Sequence, residues 1–218
     1  HENRIVMERY ARGHDQHSLL NPVSIAKAVM STLLGMPLDE DRINGLDGTV
    51  GMPVSDYLAV KLREPLGMEA KALWALNRKG GSEKAFCCLS ATARDFARFG
   101  KLMRDGGRWD NRQIVPPAWA ARNSFPGIEA PDHHTHQQLW WVPPGEADHP
   151  ARRGDFYAYS HNGQYLCVNP EARLVIVKFS ETQHQDPVPM FRAIADAVVL
   201  PQHLPEIERL DAPLLAAR

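Results

Sequence analysis

Asn21-Pro22-Val23-Ser24-Ile25-Ala26-Lys27-Ala28-Val29-Met30 is the stretch on which the reading of this chain turns. Asn21 can cap a helix through its side chain and Pro22 brings a φ that is already helical, so the run predicts a helix start. Apolar residues recur at Ala26, Val29, Met30, Leu33 and Leu34, the i, i+3, i+4, i+7, i+8 spacing of one helix face, and Gly35 is expected to end it. Ser24 and Lys27 stand three residues apart, which makes them neighbours on a helix surface. A serine hydroxyl is a weak nucleophile at neutral pH, and an amine kept neutral by an apolar, desolvated setting can take its proton. The spacing alone has two readings: a nucleophile with its base, or an ordinary helix with a Ser near its start and a Lys on its solvent side.

Working outward, 218 residues with 44% hydrophobic content are enough for a real core. Twenty-five basic and 26 acidic residues leave a net charge of −1 with no long block of one sign, which argues against nucleic acid or an anionic membrane as partner. No stretch has the length of a membrane span. Three cysteines, Cys87, Cys88 and Cys167, make no disulfide framework and favour a reducing, cytoplasmic setting. The polar start at His1, Glu2, Asn3 and Arg4 is not the core of an export signal.

Along the chain, Arg4 to Tyr10 is a short apolar and aromatic run read as a strand of the main sheet, closed by a turn at Ala11-Arg12-Gly13. Pro37 to Leu46 reads as a connector with a short helical piece, ended by turn chemistry at Asp47-Gly48. Val54, Tyr57, Leu58, Leu62 and Leu66 have helical spacing, with Ser55 and Asp56 as candidate caps and Pro65-Leu66-Gly67-Met68 as the stop. Ser90-Ala91-Thr92-Ala93-Arg94-Asp95 carries a hydroxyl followed three residues later by a carboxylate, the signature of a capped helix start, and Gly106-Gly107 ends that helix. Pro116, Pro117 and Trp119 suggest a further short helix, and residues 126 to 131 a loop.

The last third changes character. Leu139 to Val142, Asp155 to Ser160, Gln164 to Val168 and Leu174 to Phe179 are rich in β-branched or aromatic residues between turn signals, and read as strands of one antiparallel sheet. Trp140 and Trp141 then point to opposite faces. Phe191, Ile194, Ala195, Val198 and Val199 make a terminal amphipathic helix. The expected fold is α+β: one domain over 1–218, in which 1–20 and 137–218 form an antiparallel sheet flanked by helices, and 21–136 form a helical lobe, with a cleft between them.

Two other groups are chemically suggestive. Asp132-His133-His134-Thr135-His136 contains zinc-ligand types, but it lies in a Pro-rich loop without the i, i+4 spacing of a zinc protease and reads as solvated, so no metal is assigned. Cys87 and Cys88 sit in an apolar run before a helix and read as buried packing. His161-Asn162-Gly163 between aromatic strand residues is, on residue chemistry alone, a hairpin turn.

Four stretches in order carry a resemblance. They are Ser24 to Val29; Ser55-Asp56-Tyr57-Leu58 with Pro65-Leu66-Gly67-Met68; Ala85 to Gly100; and Ser160-His161-Asn162-Gly163-Gln164-Tyr165. Together they resemble the serine β-lactamase and penicillin-binding-protein superfamily, most closely its branch of class C-type esterases and 6-aminohexanoate-dimer hydrolases. In that superfamily S-x-x-K supplies the acylated serine and its lysine. The resemblance implies Ser24 as nucleophile and Lys27 as general base. It also puts His161-Asn162-Gly163 where other members have K-T-G, on the strand bordering the cleft. Backbone N–H groups of Ser24 and near Gln164 would then form an oxyanion hole. Small amides or esters are the implied substrates, and no cofactor is called for.

The chain departs from the pattern in one respect. The superfamily's Y-x-N tyrosine, expected between the Ser24 helix and Ser55, has no counterpart in Gly35 to Pro53, as if a segment near Leu46 to Gly51 and an amino-terminal helix were missing. Two functions of different class follow: a serine hydrolase, or a catalytically silent, shortened relative.

Overall fold

Alternation of apolar residues across consecutive hairpins builds the sheet. The computed structural model describes residues 3–39, 51–124, 128–129, 135–144, 154–182 and 186–199. Its central feature is a six-stranded antiparallel sheet of β5 (Ile128–Glu129), β6 (Thr135–Gln137), β7 (Trp140–Val142), β8 (Phe156–Ser160), β9 (Gln164–Asn169) and β10 (Leu174–Lys178). The strands lie in sequence order across the sheet, each hydrogen-bonded to the next. Register pairs Trp141 with Tyr157, Tyr157 with Cys167 and Cys167 with Ile176, so one row crosses four strands.

The period of two along each strand sorts the residues between two faces. Phe156, Ala158, Leu166, Val168 and Trp140 join the main core against the helices. Tyr157, Tyr165 and Cys167 form a second cluster with Val188 and Phe191 of α5 (Val188–Val199). The two tryptophans do separate as expected, Trp140 fully buried against Phe99 and Phe156 and Trp141 beside the α5 cluster. α5 is tied down by a buried ion pair in which Arg192 donates to Asp155 at 3.1 and 3.3 Å.

On the core face lie α1 (Ala26–Asp39), α2 (Val54–Leu58, continued as a π turn over Ala59–Arg63), α3 (Ala93–Arg104) and α4 (Pro117–Ala121). Small two-stranded ladders, β1 (Leu73–Trp74) with β2 (Leu89–Ser90) and β3 (Arg108–Trp109) with β4 (Arg112–Gln113), connect them. α3 begins as its sequence predicts: Thr92 Oγ1 accepts from Asp95 N at 3.1 Å. Gly106 and Gly107 follow it with φ of +63° and +80°, the left-handed conformations that end helices. Gly100, inside α3, has no room for a Cβ, which would lie 2.6 Å from Val175 and 2.9 Å from Leu166. The glycine is what lets α3 settle directly onto β9 and β10.

Several expectations are corrected. Arg4 to Tyr10 is not a strand, and residues 3–20 supply none to the sheet; Ile5, Val6 and Met7 are exposed, and the segment is held by Arg94 on Glu8 at 2.6 and 2.8 Å. The sheet instead starts at Ile128, inside the stretch read as lobe and loop. Gly35 does not end α1, which runs on through Pro37 to Asp39. Its missing Cβ makes way for Trp119, whose ring atoms lie 2.3 to 2.5 Å from where that Cβ would be. Ser55 and Asp56 do not cap α2; Ser55 is turned to the Glu83 carboxylate. The expected helical piece after Pro37, the Asp47-Gly48 turn and most of the Leu46 to Gly51 junction lie outside the described residues.

Candidate active site

The nucleophile candidate sits at the joint between helix and sheet. Before α1 the chain makes a 3-10 turn over Val23–Ile25, and this turn packs on β8 and β9. Asn21 closes the turn from below, its Oδ1 accepting from Val23 N at 3.0 Å. Val23 has φ +45°, a costly conformation for a β-branched residue and one that concentrates at functional sites. Its carbonyl accepts from Cys88 N at 3.1 Å, and Cys88 is itself at φ +72°. Two left-handed residues therefore brace each other directly beside Ser24.

Ser24 and Lys27 meet as the helical spacing predicts. Lys27 Nζ donates to Ser24 Oγ at 2.9 Å, and both residues are partly buried. Ser24 N–H donates to the hydroxyl of Ser160, the last residue of β8, at 2.9 Å. This contact joins the lobe to the sheet.

His161, Asn162 and Gly163 follow Ser160 directly. They are the turn between β8 and β9, not the strand position that the resemblance implies. Asn162 and Gly163 have φ of +62° and +71°, the left-handed pair that a tight hairpin needs and that Asn-Gly supplies. The turn still borders the Ser24 joint, because the register pairs Ser160 with Gln164. His161 and Asn162 are exposed, while Gly163 is buried. Lys178 Nζ donates to the Gly163 carbonyl at 3.0 Å, and burial lowers its amine from the ordinary lysine range. The Gln164 side chain is occupied with Ser180, accepting from its N–H at 3.2 Å and donating to its carbonyl.

All five tyrosines are described. Tyr10 donates to Glu8, Tyr57 is buried in the main core with Lys61 over its ring, and Tyr157, Tyr159 and Tyr165 cluster on the α5 face of the sheet. The face that carries Ser160 is the other one.

Of the histidine cluster, only His136 is described, with Thr135; Asp132, His133 and His134 lie outside. His136 is on β6 with its ring 4.8 Å from that of Trp141. Burial first, and the Lys27 charge second, hold its imidazole below the usual range. Cys87 and Cys88 are joined to each other by a disulfide, which corrects their reading as packing thiols; only Cys167 is a free cysteine among the described residues.

Residue chemistry alone did not single out Ser160 or Lys178, nor did it bring Cys88 onto Val23 or the charge of Lys27 to bear on His136. For Ser160 a signal existed: strand alternation puts it with Phe156 and Ala158, on the face toward the lobe.

No protein-family profile and no curated protein sequence matches the chain. Solved structures do. A structure described as a 6-aminohexanoate-dimer hydrolase from Bacillus anthracis matches with a TM-score of 0.73 at 19% identity, covering 91% of this chain and 78% of that one. A β-lactamase from Mycobacterium bovis matches at 0.59 and 15% identity, over 84% and 87% of the two chains. A family VIII carboxylesterase matches at 0.63 and 11% identity, over 82% and 83%. At these identities the likeness is one of architecture, and it agrees with the antiparallel sheet, the helical lobe and the order of elements: the chain has the fold of the serine β-lactamase and penicillin-binding-protein superfamily.

Proposed function

We propose that the chain is a serine hydrolase that forms an acyl-enzyme at Ser24 and acts on small amides or esters. The observation that carries this reading is the 2.9 Å hydrogen bond between Lys27 Nζ and Ser24 Oγ at a helix start seated against β8 and β9. The hydrolase descriptions of the fold neighbours support it.

In the proposed reaction, neutral Lys27 takes the Ser24 hydroxyl proton as Oγ bonds to the substrate carbonyl carbon. The carbonyl oxygen becomes an oxyanion, stabilised by the backbone N–H of Ser24 and one near Gln164. Collapse expels the amine or alcohol, which takes the proton back from the Lys27 ammonium. Water then attacks the ester by the same route in reverse roles, releasing the acid and restoring Ser24. In relatives with a Y-x-N tyrosine that group relays the proton; here Lys27 carries it both ways, which predicts slow turnover. His161, exposed and next to Ser160 in the chain, would meet a carbonyl or carboxylate of the substrate.

A fluorophosphonate probe tests the reading on the whole chain. The expected result is a single adduct on the Ser24 peptide by mass spectrometry and none in Ser24→Ala. Equal labelling of that variant, or no labelling of folded protein, would overturn it in favour of a catalytically silent member of the fold.

A further inference from the structure

The first amides of a helix have no partner within it. At the start of α1 the two nearest the nucleophile are both taken by side-chain oxygens. Val23 N–H goes to Asn21, two residues away, but Ser24 N–H goes to Ser160, 136 residues away on another element. Ser160 is only 2% exposed, so this contact lies inside the joint and is not a surface hydroxyl caught in passing.

The Ser24 amide is also one of the donors the acylation reaction needs. In the resting structure that donor is bonded to a neutral hydroxyl oxygen, at the distance an oxyanion would occupy. We propose that Ser160 is a gate on the oxyanion hole: its hydroxyl closes the Ser24 amide at rest and rotates away as the tetrahedral oxyanion forms. The proposal rests on Ser24 being the nucleophile, as read above.

Rotation about χ1 of Ser160 moves Oγ between staggered positions without disturbing the β8 backbone. The exchange is selective by charge. A substrate carbonyl in the ground state offers the amide no more than the Ser160 hydroxyl does, whereas an oxyanion makes a charge-assisted bond roughly twice as strong. Ser160 thus acts as a positioning residue that withholds the donor from ground-state carbonyls and yields it to the transition state. No bond is made or broken to Ser160 itself.

The test compares the wild-type chain with Ser160→Ala, which cannot accept, and Ser160→Cys, which keeps the shape but accepts weakly. The readouts are the rate constant for fluorophosphonate labelling, the dissociation constant for phenylboronic acid, whose oxygen occupies the same donor, and the thermal unfolding midpoint. Losing one neutral hydrogen bond from the resting state is expected to speed labelling by about 3- to 10-fold in Ser160→Ala and to tighten the boronate by a similar factor. Ser160→Cys should fall between it and the wild type. A wild type that labels, with an alanine variant equal or slower, would overturn the gate and leave the hydrolase reading standing; Ser160 would then only hold the turn. If neither labels, the nucleophile reading fails and the gate fails with it.

Discussion

α1 and α3 start against the same sheet and are closed in opposite ways. At α3 the closure is local: Thr92 takes the amide of Asp95 three residues on, and both residues are buried, at 4% and 1% exposure. At α1 the amide of Ser24, the proposed nucleophile, is closed from across the fold by Ser160, after a strained Val23 braced by Cys88. A helix end that caps itself is complete once the helix forms. One completed by a distant strand can open without unwinding anything, and that is the end at which the polar, partly buried Ser24 and Lys27 are found.

The largest break in the comparison should come from Lys27→Met. Removing the base at the α1 end is expected to cut fluorophosphonate labelling by about 1,000-fold or more while the unfolding free energy changes little. Next is Gly35→Val, which drives a side chain into Trp119 and should cost about 1–3 kcal/mol in urea denaturation through overpacking on the α1 side. Thr92→Ala sharpens the contrast. It should cost about 1 kcal/mol through the lost cap and leave the labelling rate unchanged, because the cap hydrogen bond runs from Asp95 to Thr92 and touches neither Ser24 nor Lys27. A labelling rate that fell along with stability would show the two ends to be coupled.

The smallest effect is in pH. At the α3 end, Arg94 first and Tyr10 second hold the Glu8 carboxyl down at about 2. Its contribution is present above the ordinary value of about 4.5 and is lost as pH falls from there toward 2. Since the pair is largely solvent-facing, the stability change is small. Near the α1 end, His136 has a lowered pKa, so the unfolded chain takes the proton first. Stability there should be full above about 6.5 and drop as pH falls from there to the lowered folded value. Unfolding midpoints at pH 7.5, 5.5 and 3.5, with Glu8→Gln and His136→Gln as controls, separate the two windows.

What was legible in the sequence follows the same division. The α3 cap, its glycine stop, four strands and the Ser24–Lys27 contact depend on residues a few positions apart, where helix and strand periods speak directly. Ser160 on Ser24, Cys88 on Val23 and Lys178 on Gly163 join residues distant in sequence, and no local period encodes them. Gly35 misled for a different reason. A glycine marks either a backbone turn or a missing side chain, and only Trp119, 84 positions later, shows that it is the second. The Arg4 to Tyr10 run had strand composition, but Ile5, Val6 and Met7 are exposed and the run forms no strand, so composition alone overstated it.

The order of the sheet bears on how this molecule assembles. Because each strand pairs with its neighbour in sequence, the sheet can zip from successive hairpins, each closing a short loop. The seat of Ser24 is different, since it forms only when the start of α1 finds the end of β8 across 136 residues. A refolding chain is therefore expected to regain its β-sheet signal first and its reactivity toward a serine-directed probe last, so that in a half-assembled molecule the proposed nucleophile would be inert.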